Sequence, residues 1–237
     1  MKKRTVLVMG AGAVLAVGMV TACSSGTASQ SQSPAPSPVQ VSITTTAAAM
    51  PASATFIADM TEKDDEPMTM AITVEGEKVI AYATNGMNDE AYFFGTQQNG
   101  HMDLMSMYGD TLTATFDGST IDGDLAMNES GSTPVQFAAA RVEAPAGLYT
   151  AKHGDARASW VVRTNRSITG VMNNSAPGDH KVTDAIKAQD KEFMNQVRQM
   201  RLNQQLHQAP AMQYGTWSMD VDGSTVTATR VTGDMSF

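Results

Sequence analysis

From Phe56 onward apolar residues recur at every second position, and that period commits the chain to strands. Met68, Met70, Ile72 and Val74 alternate with Thr69, Ala71 and Thr73. Leu112, Ala114 and Phe116 alternate with Thr111, Thr113 and Thr115, and Ile121, Leu125 and Met127 with Asp122, Asp124 and Ala126. Successive strand residues point to opposite faces, so each run has one apolar face to bury. Asn85-Gly86, Asn99-Gly100 and Asp117-Gly118 punctuate the runs and supply the positive φ of tight hairpins. The expected fold is mainly β, an antiparallel meander of about nine strands between residues 54 and 172, closing into a barrel or a sandwich. Asp122-Gly123-Asp124 interrupts a good alternation and reads as a turn or a bulge.

Two runs, Val79-Ile80-Ala81-Tyr82-Ala83 and Ala91-Tyr92-Phe93-Phe94, are apolar on both faces, so something must cover their outer side. The expected cover is an amphipathic helix over 184–207. Ile186, Phe193, Val197 and Met200 recur on its apolar face, Thr183 or Asp184 caps its start, and Pro210 blocks continuation. A terminal hairpin is expected from Trp217, Met219 and Val221 through Asp222-Gly223 to Val226 and Ala228. Asp-Gly-Ser-Thr occurs at 117–120 and again at 222–225, which reads as one turn solution used twice.

The first residues follow a different logic. Lys2-Lys3-Arg4 precede a stretch without charge from Thr5 through Ala58, whose first part is an apolar segment of about 16 residues. A basic start, a short apolar core and small residues before a cut read as a secretory signal over residues 1–22. Val20-Thr21-Ala22-Cys23 resembles a bacterial lipobox. The resemblance implies cleavage before Cys23, a diacylglyceryl thioether on its sulfur and acylation of the new amino terminus, so that covalent lipid and no other cofactor is expected. Two or three such chains, at roughly 0.8 kcal/mol per buried CH₂, hold a protein stably on a membrane. Cys23 is the only cysteine, so no disulfide can staple the fold. Residues 23–52, rich in Ser, Thr, Pro and Ala, read as a disordered tether, and 53–237 as a single β-rich domain held on the outer, extracytoplasmic face of the cell membrane. This layout, with "VIAYATNG", "EAYFFGT" and "AGLYTA" in the β-rich part, is similar to lipoproteins of uncharacterised function from actinobacteria. That likeness brings no catalytic residue with it.

The formal charge of −8 argues against nucleic acid, whose phosphates call for a clustered basic face. Residues 53–150 are strongly acidic and 151–210 net basic, which favours attraction between the two parts. Eighteen methionines raise the possibility of a copper site, because thioethers select Cu(I). The candidate ligands are His101, Met105 and Met107, which alternation through residue 107 would place on one side of a strand. Gly-x-Ser-x-Gly, His-Glu-x-x-His and Ser-x-x-Lys with its companions do not occur. The sequence therefore supports a membrane-anchored, non-enzymatic binding or interaction module, with an envelope component or another exported protein as partner. Its aromatic patch is expected around Tyr82, Tyr92, Phe94 and Tyr149. A Met-rich extracytoplasmic copper-binding protein and an envelope hydrolase are the alternatives.

Overall fold

A computed structural model describes residues 49–61, 66–129, 131–175, 191–221 and 223–235. The signal, the lipobox, most of the tether and the expected first turns of the helix lie outside the described residues.

Eight strands form a closed antiparallel barrel: β1 (Ser53–Thr61), β2 (Pro67–Glu75), β3 (Lys78–Thr84), β4 (Glu90–Gln98), β5 (His101–Met105), β6 (Thr111–Phe116), β7 (Thr120–Ala126) and β8 (Val135–Val142). Closure comes from β1 against β8, with Thr55 opposite Val142 and Ile57 opposite Ala140. The inward-facing set is the alternating apolar set of the sequence. Phe56, Met70, Ile72, Phe93, Leu112, Ile121 and Leu125 are all at most 1 % exposed, and Phe56 meets Phe116 edge-on at 5.8 Å. Met60, Met68, Met70, Met102 and Met127 fill the remaining space as flexible side chains do. The interior of an eight-stranded barrel is narrow enough for side chains to fill it, and here they do.

Hairpin chemistry follows the sequence. Asn99 and Gly100 both take positive φ, at 51° and 80°, joining β4 to β5. Asp122-Gly123-Asp124, by contrast, is neither turn nor bulge: β7 runs through it in unbroken register with β6 and β8. Glycine is needed there because a Cβ would lie 2.2 Å from the carbonyl oxygen of Thr113 on β6. Along the seam of β4 and β5 only Gln97 with Met102 and Gln98 with His101 pair regularly, plus a bridge from Phe93 to Ser106. Between them the Leu104 side chain lies against Gly95, where a Cβ would be 2.5 Å away.

Three more long strands, β9 (Gly147–His153), β10 (Ala156–Val162) and β11 (Ile168–Asn173), bring the total to eleven between Ser53 and Asn173. After them come α1 (Lys191–Leu202), β12 (Leu206–Gln208), β13 (Ser218–Val221), β14 (Ser224–Thr227) and β15 (Thr229–Arg230). The second sheet runs β12-β11-β10-β9-β15, and β13 with β14 is the expected terminal hairpin.

This second sheet, not the helix, covers the two runs that are apolar on both faces. Leu148, Val161 and Val231 pack on Ala71, Ile80, Tyr82 and Tyr92. The physical reason lies in β9 and β10, which are themselves buried on both sides. Their other face, with Tyr149, Ala158 and Trp160, is closed by Met212, Met219, Val221 and Ala228 from the C-terminal segment. The molecule is therefore layered: barrel wall, second sheet, C-terminal cover. Strands β5, β6 and β8, outside that stack, keep a solvated outer face.

The helix ends earlier than expected. It ends at Leu202, and His207 belongs instead to β12, paired with Met172 on β11. Val197 and Arg201 are buried on its docked face with Phe193, Met194 and Arg198 half-buried, whereas Met200, expected inside, is 54 % exposed.

Candidate binding surface

Of the four aromatic residues expected to form a surface patch, three are interior. Tyr82 is fully buried, Tyr92 is 6 % exposed and Tyr149 is 4 % exposed; Phe94 is half-buried. Tyr82 and Tyr92 sit between barrel and second sheet with ring centroids 4.5 Å apart, and Phe94 stacks on Tyr92 at 5.6 Å. The second sheet covers them, as the packing of its apolar face requires. The polar end of Tyr92 joins a buried network. The Tyr92 hydroxyl donates to Ser159 Oγ at 2.7 Å, Arg157 pairs with Glu90 while lying 4.7 Å over the Tyr92 ring, and Asn173 Nδ2 donates to Glu90 Oε1 at 3.1 Å. Burial, partly offset by Arg157, pushes the Tyr92 hydroxyl up to about 12, and burial with the charge of Glu90 pushes Tyr82 well above the ordinary phenol range. Both phenols stay protonated; the Tyr92 hydroxyl acts as a hydrogen-bond donor, whereas the buried Tyr82 hydroxyl has no hydrogen-bond partner among the described residues.

The candidate copper ligands are strung along the barrel. His101 is exposed at the start of β5, with Nδ1 3.1 Å from Thr115 Oγ1. Met105 is half-buried at its end, and four residues of strand separate the two backbones by about 13 Å. Met107 lies past the strand in a turn, because the chain breaks alternation at Ser106, whose hydroxyl donates to Asp110 Oδ2 at 2.5 Å. One strand face therefore does not carry all three residues. Val20, Thr21, Ala22 and Cys23 lie outside the described residues.

Helix α1 docks on one end of the barrel through charge. Arg201, 5 % exposed, is shared by Asp110 and Asp89, with Glu129 Oε1 3.6 Å from its Nε. Arg198 donates to the backbone and side-chain oxygens of Asn128 at 3.1 and 2.9 Å. Burial pushes the Asp110 and Glu129 carboxyls upward, Arg201 pulling the other way on both. The same carboxylates, with Asp89, raise Arg201 in spite of its burial. The expected attraction between acidic and basic parts of the chain takes this local form.

Concave regions on the outside include two lined by described residues. One, of about 650 Å³, lies over β4 to β7 and is lined by Thr96, His101, Asp103, Thr115, Asp122 and Asp124 among others. The second, of about 510 Å³, lies beside Met87, Trp160 and Met212.

The surface that differs from its surroundings lies on the C-terminal cover. Trp217 stacks on Tyr149 at 4.6 Å and 18°, and Tyr214 meets Trp217 at 4.9 Å and 64°. Arg166, from the turn between β10 and β11, lies 5.3 Å from the Tyr214 ring centroid. Tyr214 is 38 % exposed, Trp217 half-buried and Arg166 exposed. Among the described residues only Asn99, Arg166 and Trp217 take positive φ without being glycine, and two of the three belong to this group. Arg166 occupies, at 71°, a turn position that glycine or asparagine ordinarily takes. Trp217, at 54°, is held by its N–H donating to Gln213 O at 2.9 Å and by its carbonyl accepting from Ala228 N at 2.7 Å. Such positions cost of order 1–3 kcal/mol each and persist only where the surroundings enforce them. Tyr149 is rigid in turn, its hydroxyl donating to Pro145 O at 2.9 Å. No family model, curated protein or solved structure matches this chain. Period and spacing did not point to Tyr214 or Arg166; the available signal was two aromatics flanking Gly215 in a loop.

Proposed function

We propose that the protein is a membrane-anchored exported lipoprotein whose β-rich domain works as a non-enzymatic binding module. Its partner is a component of the envelope. Cys23 carries the lipid, and the tether carries the domain away from the bilayer; a coil of 29 residues spans about 30 Å on average. The observation that supports the reading most is the contrast between a barrel packed solid with side chains and a rigid aromatic platform held at the surface of the outermost layer. A filled barrel serves as a support, and the platform at Tyr214 and Trp217 is the part built for contact.

Two measurements test it. Metabolic labelling with an alkynyl palmitate marks the wild-type chain and leaves Cys23→Ala unlabelled; persistent labelling of that variant overturns the anchor. The full chain in detergent micelles co-sediments with washed envelope fragments, and Trp217→Ala reduces the bound fraction at least tenfold. Equal co-sedimentation of wild type and variant overturns the platform.

A further inference from the structure

We infer that Arg166, Tyr214 and Trp217 form a binding site for an acidic saccharide, a proposal that rests on the binding-module reading and names the ligand class of the same surface. Three observations carry it. The Arg166 guanidinium is exposed and forms no ion pair among the described residues, its one side-chain partner being the Tyr214 ring at 5.3 Å. Arg163, three residues earlier in the same turn, is by contrast committed to both oxygens of Asp59, at 2.9 and 3.0 Å from its Nε. In a chain of formal charge −8, an arginine without an ion pair among the described residues, set against Tyr214, is a local inversion of charge.

The second observation is the strain. Arg166 and Trp217 each hold a backbone conformation that disfavours their side chains, and both contact Tyr214. A glycine at 166 would satisfy the turn equally well, because the turn is closed by Arg163 N to Ser167 O at 2.9 Å and by Asn165 Oδ1 accepting from the Ser167 N–H. What arginine adds there is its guanidinium.

The third is the chemistry of the pair of rings. Aromatic faces carry negative charge density and attract the polarised C–H groups on one face of a pyranose, and two rings inclined at 64° make a corner for it. Guanidinium presents a planar fork of donors that matches a carboxylate in two hydrogen bonds. A sugar bearing one carboxylate satisfies both parts of the site. A long polyanion would meet the rest of an acidic surface and be repelled.

The probe is trigalacturonate, with its fully methyl-esterified form as the neutral counterpart, titrated calorimetrically into the full chain in detergent micelles. Tryptophan fluorescence follows in parallel, and since Trp160 is 1 % exposed, a change reports Trp217. The site requires saturable binding of the acid, at least tenfold weaker binding of the ester, and at least tenfold loss in Arg166→Gly with a melting temperature unchanged or raised. Equal affinity for acid and ester, undiminished binding by Arg166→Gly, or no binding of the acid at millimolar concentration overturns it. Binding of the synthetic peptide Ser-Pro-Ala-Pro-Ser-Pro in place of the saccharide overturns it too, assigning the rings to proline-rich chain. If the acid fails while envelope fragments still bind in a Trp217-dependent way, the ligand class falls and the module stands. Loss of both removes both.

Discussion

Asp117 shows how one carboxylate sets a turn. Its Oδ1 accepts from the N–H groups of Ser119 and Thr120, both at 2.7 Å, and those backbone hydrogen bonds hold its carboxyl at about 2. A depressed folded value means that the unfolded chain takes up this proton first. The contribution of Asp117 is thus complete above the ordinary carboxylate range and disappears as pH falls from 3.8 towards 2. The melting temperature of Asp117→Asn lies below wild type at pH 6, and the gap closes by about pH 2; a constant gap contradicts this role. Beside the second copy of the tetrapeptide, Asp220 Oδ1 accepts from Gly223 N at 3.0 Å. The buried pair of Glu90 and Arg157 makes a second residue-scale prediction. Their side chains are 2 % and 4 % exposed, so Arg157→Met leaves a carboxylate uncompensated in the interior and costs about 3–5 kcal/mol in denaturant unfolding. Adding Glu90→Gln returns at least half of that loss. A double variant no better than the single one contradicts the pairing as the source of the effect.

At the scale of elements, glycine and arginine decide matters that hydrophobic period cannot. Gly123→Ala places a methyl group against the backbone of β6, and a destabilisation of about 1–3 kcal/mol is expected from so rigid a neighbour. Arg201→Gln removes the cation shared by Asp110, Asp89 and Glu129, and amide exchange across Lys191–Leu202 accelerates far more than exchange in β2 or β10. Uniform acceleration would show instead that α1 and the barrel unfold together. These two elements also show where legibility ended. Strands β2, β6 and β7 were legible because one face is apolar, and β3 with β4 because both are. The helix was legible as a helix, but its docked face was not. Spacing ranks Met200 above Arg201, and only the carboxylates of Asp89 and Asp110, brought together by the loops after β3 and β5, reverse that order. The second sheet was missed as a cover because β9 to β11 read as further strands of the same meander. What separates them from the barrel is closure of β1 on β8, a pairing of residues far apart in sequence.

In the whole molecule, three layers place distinct chemistry at distinct depths. Methionine samples all of them. Met87 and Met200 are 54 % exposed, while Met68, Met70 and Met102 are at most 3 % exposed inside the barrel. Dilute hydrogen peroxide therefore oxidises Met87 and Met200 to the sulfoxide well before the barrel methionines, as peptide mass spectrometry can follow; equal rates would mean a barrel that opens readily. The candidate site was the least legible part. Tyr82, Tyr92 and Tyr149 looked like a surface because their covers, the second sheet over the first two and the C-terminal segment over Tyr149, could not be foreseen, and Tyr214 and Trp217 lie where alternation gives no guidance. The central claim is that a filled barrel carries a recognition surface on its outermost layer. Hydrogen–deuterium exchange of the full chain in micelles, with and without a solubilised envelope polysaccharide fraction, tests it most directly. New protection confined to residues 163–167 and 213–218 is the predicted result, and protection centred on the groove of Thr96, His101 and Asp122, or none at all, would contradict it.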